Sequence, residues 1–215
     1  KSHALSLKLG LVLRFWDPAQ VALAVALNLR TFLRAKTRGD GKVAVRLLNI
    51  GTNLSWEKSA LQTLLPSFAA GRTESEAPNP EQVETLREFL GDADGVPEIH
   101  AVAAIAFLYL YLSIASKSGV LPSLDVLVWS ELPTGAGLGS SAAFSVCLAG
   151  ALLSVCGAVA YPSVEGQSLA RWTETELELI NRWAFCGEQV IHGNPSGVDN
   201  AVGTRGGALR YQSGK

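Results

Sequence analysis

A glycine-rich turn lies between a predicted strand and a predicted helix, in the sequence PTGAGLGSSAA at residues 133–143. Its three glycines allow backbone conformations that other residues avoid, and they let a ligand approach the main chain. Ser140 and Ser141 then fall at the start of the helix, where unpaired N–H groups and the helix dipole attract an anion. The turn therefore suits a phosphate group, although it lacks the Gly-Lys-Ser/Thr ending of a Walker loop. From spacing alone, a structural glycine turn capped by serine fits the pattern equally well.

Two carboxylates flank a second loop nearer the end of the chain. Glu188 lies in the last turns of a predicted helix, and the loop HGNPSGVDN follows at residues 192–200. This loop is dense in Gly, Asn, Pro and Ser, which predicts a fixed, non-helical position for Asp199. One carboxylate can hold a divalent cation beside bound phosphates, and the other can orient or deprotonate a hydroxyl. Alternatively, Glu188 is a solvated helix residue beside His192 and Asp199 caps the turn, which the residues alone slightly favour.

The elements that must position these residues begin with strands, continue with helices and end with a strand. This order is typical of an α+β sandwich rather than of a regular βαβ repeat. Runs rich in branched residues predict strands at 21–29, 31–36, 42–50, 123–129 and 207–213. Amphipathic or apolar patterns predict helices at 56–65, 81–90, 101–112, 140–161 and 173–192. The connections include a hairpin turn at 38–41, a polar surface loop at 71–80 and a capping box of Thr173 with Glu176.

Composition excludes several classes of protein. With 215 residues, 48% hydrophobic content and a formal net charge of −1, the chain can bury the core of one large domain or two small ones. Its charges are scattered and form no basic stripe, so nucleic acid is not predicted as a partner. Cys147, Cys156 and Cys186 lack the CxxC spacing of a metal or redox site. We predict that they are buried reduced thiols in a cytosolic protein.

Two apolar segments resemble membrane spans, but neither is predicted to be one. Segment 101–112 is shorter than the roughly 20 residues that cross a bilayer, and we predict a buried core helix there. Segment 140–161 is long enough, but it opens on the glycine-rich turn and carries polar or small residues such as Ser145 and Gly150. A membrane is therefore not predicted as a partner.

The sequence PTGAGLGSSAA, followed later by GNPSGVDN, resembles the GHMP kinases, the superfamily of galactokinase, homoserine kinase, mevalonate kinase and phosphomevalonate kinase. The ATP loop of these enzymes has the form PxxxGLGSSAA. Within the superfamily, the segments SELPTGAGLGSSAA, WTETELELINRWAFCGEQVIHGNPSGVDNAV and VALAVALNLRTFLR are similar to animal members of the mevalonate kinase family. The resemblance implies an α+β fold with an N-terminal domain like the second domain of ribosomal protein S5. We expect residues 21–215 to form this ATP-binding domain and the family's ferredoxin-like C-terminal domain to be missing.

The same resemblance implies a role for individual residues. Those expected to bind the nucleotide are Asn49, Ser130, Gly135, Ala136, Gly137, Leu138, Gly139, Ser140 and Ser141. Ser141 and Glu188 would coordinate Mg²⁺, and Asp199 would act as base or anchor for the primary hydroxyl of mevalonate as it attacks the γ-phosphoryl group. Phosphoryl transfer needs mainly positioning and charge neutralisation, so a loop, a metal and one carboxylate form a coherent minimal set. The implied enzyme is a cytosolic homodimer that phosphorylates mevalonate with ATP for isoprenoid and sterol synthesis.

One family motif is absent. Family members carry PGKxxLxGEHxVVxG on the first strand and turn, with a lysine near the base and the phosphates, whereas this chain has LGLVLRFWDPAQ before Val21. Residues 1–20 are therefore a divergent segment, and Lys8 does not match the context of the family lysine. We expect no turnover from the chain as it stands. Two alternatives remain: another GHMP kinase, acting on phosphomevalonate or a sugar, and a non-catalytic nucleotide-binding fragment.

Overall fold

The computed structural model describes residues 2–9, 21–69, 77–91, 97–161, 164–165, 168–169 and 172–212. In these ranges the strands are β1 Ser2–Leu9, β2 Val21–Val25, β3 Leu29–Thr37, β4 Lys42–Leu47, β5 Thr52–Glu57, β6 Leu124–Ser130, β7 Val164–Glu165, β8 Ser168–Leu169 and β9 Ala208–Gln212. The α-helices are α1 Lys58–Gln62, α2 Leu65–Ala69, α3 Pro80–Leu90, α4 Glu98–Ser118, α5 Ser140–Val155, α6 Glu174–His192 and α7 Val198–Arg205. Residues 10–20, and most of the loop predicted at 71–80, lie outside the described residues.

A five-stranded sheet with the order β1-β3-β6-β4-β5 forms one layer. β6 pairs parallel with β4, and the other neighbours are antiparallel. The hairpin predicted at residues 38–41 is therefore wrong, because β6 lies between β3 and β4. The hairpin in this region joins β4 to β5 through the 3₁₀ turn Leu48–Ile50, and β5 occupies the start of the helix predicted at 56–65. Glycine and aspartate favour a tight turn at 38–41, but they do not determine which strands pair across it.

The helices supply the other layer and share one hydrophobic core with the sheet. Inward residues alternate along β3 and β6, as Leu33 and Val126 illustrate, while residues 104–115 of α4 are buried all round. α4 is long and apolar enough to cross a membrane by length and composition, yet two thirds of its most apolar window is buried inside the protein. The predicted core helix is confirmed, and each fully buried Leu or Phe contributes about 2 kcal/mol relative to an exposed one.

Strands β2 and β9 form a separate two-stranded antiparallel ribbon. The segment predicted as one strand at 21–29 divides between β2 and β3, and β2 pairs with β9, which confirms the predicted terminal strand. Ala24 of β2 packs against Val198 and Val202 of α7 in a small hydrophobic cluster. The ribbon therefore supports α7 from one side.

Helix α6 begins and packs in a way that determines the position of its last turns. Thr173 and Glu176 form the predicted capping box, which is confirmed by hydrogen bonds in both directions. Further along the helix, a Cβ added to Gly187 would lie 3.0 Å from both Leu110 Cδ1 and Ser145 Oγ. Only glycine allows α6 to approach α4 and α5 this closely, and the following residue, Glu188, is buried.

Candidate active site

The glycine-rich turn leads directly into α5. Gly135, Gly137 and Gly139 have φ angles of 75°, 70° and 73°, in the left-handed region that other residues rarely adopt. Gly139 occupies the N-cap position, and no side chain among the described residues caps the helix. The predicted alternative of a serine-capped structural turn is therefore not what the structure contains. The first N–H groups of α5 have no intrahelical acceptor, so they can bind an anion.

The turn starts from Ser130, the last residue of β6, which is held by hydrogen bonds on both sides. Asn49 Nδ2 donates to the Ser130 carbonyl at 2.7 Å, and the Ser130 N–H donates to Asn49 Oδ1 at 2.7 Å. The Ser130 hydroxyl lies 2.7 Å from Thr31 Oγ1 and accepts from the Leu132 N–H at 3.1 Å. Asn49 and Ser130, both predicted to bind the nucleotide, are thus hydrogen-bonded to each other.

Glu188 is buried, with 4% of its surface exposed, so the alternative of a solvated helix residue is wrong. Burial raises the pKa of its carboxyl to about 7, with an opposing effect from a hydrogen bond to Ser141 and a further increase from the charge of Asp199. Its Oε1 atom has no hydrogen-bond partner among the described residues. A buried, unsatisfied carboxylate oxygen is costly by itself and is a suitable ligand for a hard cation.

Asp199 lies in the first turn of α7, so its predicted non-helical position is wrong. Gly197, with φ of 77°, turns the chain at the N-cap and lets the helix begin immediately after it. A Cβ there would lie 3.3 Å from Phe185 Cε2, so the turn also packs tightly against α6. The eight residues of α7 are too few, and too polar, to show the apolar repeat by which a helix is predicted.

His192 also lines the cleft, although the sequence predicted it only as a neighbour of Glu188. Its Nε2 atom lies 3.0 Å from the Ser141 hydroxyl. Because Glu188 and His192 are four residues apart on α6, they share one face of the helix, and Ser141 at the start of α5 contacts that face. The four-residue spacing of Glu188 and His192, at the start of the HGNPSGVDN loop, could have indicated that His192 belongs to the site.

The predicted residues come together in one cleft of about 890 Å³. Those that line it are Asn49, Ser130, Gly135, Gly137, Leu138, Gly139, Ser140, Ser141, Glu188 and Asp199, whereas Ala136 is not among the lining residues. No group of three or more His, Cys, Asp or Glu side chains in the described parts of the chain could hold a metal by itself. Glu188 and Ser141 are residues of this cleft whose oxygens could hold a hard cation.

The cysteines take no part in this cleft. They form no disulfide, and Cys147 and Cys186 are buried as predicted, while Cys156 is half-buried. Burial raises the pKa of the Cys186 thiol to about 11. The thiols are therefore packing residues rather than reactive groups.

Comparison with known proteins identifies the class. The family described as GHMP kinases N terminal domain matches residues 101–207, a span that contains the glycine-rich turn and both carboxylates. The chain belongs to the GHMP kinase family, and its predicted α+β fold class is confirmed. Within the family it is similar to mammalian mevalonate kinases, with 58% identity to that of Bos taurus and 57% to that of Homo sapiens, each over 196 residues.

These alignments cover 91% of this chain and 49% of each relative, so the chain spans about half the length of the curated relatives that it matches. Among solved structures, the fold is similar to the Methanococcus jannaschii mevalonate kinase, with a TM-score of 0.64 at 14% identity. That alignment covers 100% of this chain and 55% of the other. At this identity the likeness supports the fold alone.

Proposed function

We propose that this chain provides the nucleotide- and cation-binding part of a mevalonate kinase, which phosphorylates the 5-hydroxyl of mevalonate with ATP to give 5-phosphomevalonate. The observation that carries the proposal is the buried, unsatisfied Oε1 of Glu188 in the cleft at the N-terminus of α5. An anion-binding helix end and a cation-binding carboxylate in one cleft are complementary to a magnesium nucleotide. The acceptor is inferred from the mammalian relatives, which are named mevalonate kinases.

The phosphate chain of ATP would bind along residues 135–141, accepting hydrogen bonds from backbone N–H groups that are already oriented. Mg²⁺ bound by Glu188 and Ser141 would supply charge neutralisation for the transferring phosphoryl group. Glu188 must ionise to bind a cation, and burial, which raises its pKa to about 7, opposes that ionisation. The contact of 3.0 Å between the Ser141 hydroxyl and His192 Nε2 holds that hydroxyl near the carboxylate.

Asp199 is the proposed base or anchor for the acceptor. Helix α7 holds it close enough to Glu188 for the charge of Asp199 to raise the pKa of Glu188. The primary hydroxyl of mevalonate would attack the γ-phosphorus, its proton would pass to the Asp199 carboxylate, and the bond to the β-phosphate oxygen would break to release ADP. The cytosolic location and the homodimer implied by the family resemblance belong to this proposal.

The test uses a chimaera, because residues 1–20 lack the lysine motif and we expect no mevalonate-dependent ADP release from the 215-residue chain itself. Residues 21–212 would replace the matching segment of the Bos taurus relative. We expect ATP- and Mg²⁺-dependent phosphorylation of mevalonate, and no activity with phosphomevalonate or sugars. Activity with those acceptors would favour another GHMP kinase, and absence of all turnover would favour a non-catalytic fragment.

Asp199→Asn in the chimaera should reduce kcat by roughly 10²-fold or more and leave ATP affinity nearly unchanged, because the lost carboxylate faces the acceptor. Asp40→Asn is the matched control, since Asp40 follows the end of β3 that pairs with Leu124, whereas Ser130 pairs with Thr31 at the other end of the strand. Turnover of the Asp199 variant within tenfold of the parent would show that this carboxylate is not the base.

A further inference from the structure

Helix α7, which carries Asp199 in its first turn, is held against the β2–β9 ribbon by apolar contacts. Val198 and Val202 of this helix pack against Ala24 of β2 in the small hydrophobic cluster. Apolar contacts are not directional, so they keep the helix on the ribbon without fixing its rotation about its own axis. That rotation decides where the Asp199 side chain points, because successive side chains on a helix are about 100° apart.

A directional contact joins α7 to α6. Asn200 is 2% exposed, and its Nδ2 atom donates to Asn181 Oδ1 at 2.8 Å and to the Asn181 carbonyl at 3.3 Å. A backbone carbonyl can only accept, which determines the end of the Asn200 amide that faces α6. At the far end of α7, Arg205 forms ion pairs with Glu174 and Glu178, but these groups are largely exposed and such pairs contribute little. The buried asparagine pair is therefore the contact that fixes the rotation of the first turns of α7.

One face of α6 carries both this contact and the candidate cation ligand. Asn181, Phe185 and Glu188 are spaced by four and three residues, so they lie along one face of the helix. Phe185 packs against Gly197, the N-cap of α7, where an added Cβ would lie 3.3 Å from Phe185 Cε2. The face of α6 that presents Glu188 therefore also holds the start of the helix that presents Asp199.

From this arrangement we infer that Asn200 is a positioning residue for the proposed base: its bond to Asn181 fixes the rotation of α7 and thereby the direction of the Asp199 carboxylate. The inference rests on the proposed function of Asp199. Asn200 lines the cleft but is buried, so its effect on the reaction passes through its neighbour in the chain. A base must lie within hydrogen-bond reach of the acceptor hydroxyl, and a displacement of about 1 Å can reduce turnover by roughly 10²-fold.

The experiment measures turnover of mevalonate and affinity for ATP in the chimaera that contains residues 21–212. Asn200→Ala should lower kcat by roughly tenfold or more and leave the Kd of ATP within about twofold, because the phosphate loop keeps its contacts. Asn181→Ala should also lower kcat, and the double variant should be no worse than Asn200→Ala, since both changes remove the same bond. Asn53→Ala, at an exposed asparagine of β5, is the matched control and should behave like the parent.

Combination with Asp199→Asn separates positioning from a purely structural role. If Asn200 acts through Asp199, Asn200→Ala should cause no further loss of the residual turnover of Asp199→Asn. A structural role predicts instead an equal fractional loss of kcat in both backgrounds, or a loss of ATP affinity that parallels the loss of kcat. Either result would overturn the inference, as would an unchanged kcat in Asn200→Ala. If Asn200→Ala does not fold, Asn181→Ala, at a half-buried position, carries the same test.

Amide hydrogen exchange in the 215-residue chain provides a measurement that does not depend on turnover. The Ala201 N–H donates to the Gly197 carbonyl at 3.2 Å, in the first turn of α7. Its exchange should accelerate in Asn200→Ala and should not change in Asn53→Ala, and equal rates in the two variants would show that the asparagine pair does not hold the helix. A parent chimaera without turnover would refute the proposed function, whereas the exchange rates would still decide whether Asn200 fixes α7.

Discussion

Replacement of Glu188 by glutamine should remove a pH-dependent loss of stability from the metal-free chain. Burial raises the pKa of Glu188 to about 7 in the folded protein, whereas its ordinary value is 4.5. Between these two pH values the folded chain holds a proton that the unfolded chain has released. Stability therefore falls as pH rises from 4.5 to about 7, and above pH 7 the loss is complete.

The size of the effect follows from that interval. Each pH unit between the two pKa values corresponds to about 1.4 kcal/mol, so the full interval amounts to roughly 3 kcal/mol in the free energy of unfolding. Glutamine does not titrate, and any cost of burying its amide is the same at every pH. The advantage of the variant over the parent should therefore grow by roughly 3 kcal/mol between pH 4.5 and pH 8.

The assay is urea unfolding of parent and variant in EDTA at several pH values, because a cation at Glu188 would conceal the effect. Glu88→Gln, at an exposed glutamate of α3, is the matched control for the substitution itself. If the difference in the free energy of unfolding between Glu188→Gln and the parent does not change with pH, Glu188 is already ionised when buried.

The same variant should need more Mg²⁺ for ATP binding, since an amide is a weaker ligand for a hard cation.

Two glycine substitutions test the packing that positions the carboxylates. Gly187→Ala should lower the free energy of unfolding by about 1–3 kcal/mol in urea, because its Cβ would lie 3.0 Å from Leu110 Cδ1. Gly197→Ala should lower it by about 1–2 kcal/mol in the same assay, because of its φ of 77° and its contact with Phe185. Gly39→Ala, where a Cβ meets nothing within 4 Å, is the control for both. Stability equal to that of this control would contradict either prediction.

Patterns within a few residues predicted the elements that carry the site. The Thr173–Glu176 capping box and the buried α4 depend on contacts inside one helix or on a long apolar run, and both were predicted correctly. The glycine-rich turn was placed correctly before α5, since three glycines and two serines in one short segment restrict the backbone locally. These features needed no knowledge of what packs against them.

Strand pairing could not be predicted in the same way. The turn at 38–41 is followed by β4 in the chain, but the partner of both β3 and β4 is β6, which comes much later in the sequence. Helix α7 was missed for a related reason, because its stability comes from Gly197 at its start and from packing against β2 and α6 rather than from its own pattern.

By itself, the sequence determined which residues are chemically capable: the glycine turn, the two serines after it, Glu188 and Asp199. Only the tertiary structure decided how far they are buried, what their pKa values are and which hydrogen bonds they form. The pKa of Glu188 is raised to about 7 because burial among segments that are distant in the chain disfavours its charged form. Asn49 and Ser130, 81 residues apart, satisfy each other because β4 and β6 run side by side. Burial and hydrogen bonding between distant segments arise from packing, and packing leaves no local pattern in the chain.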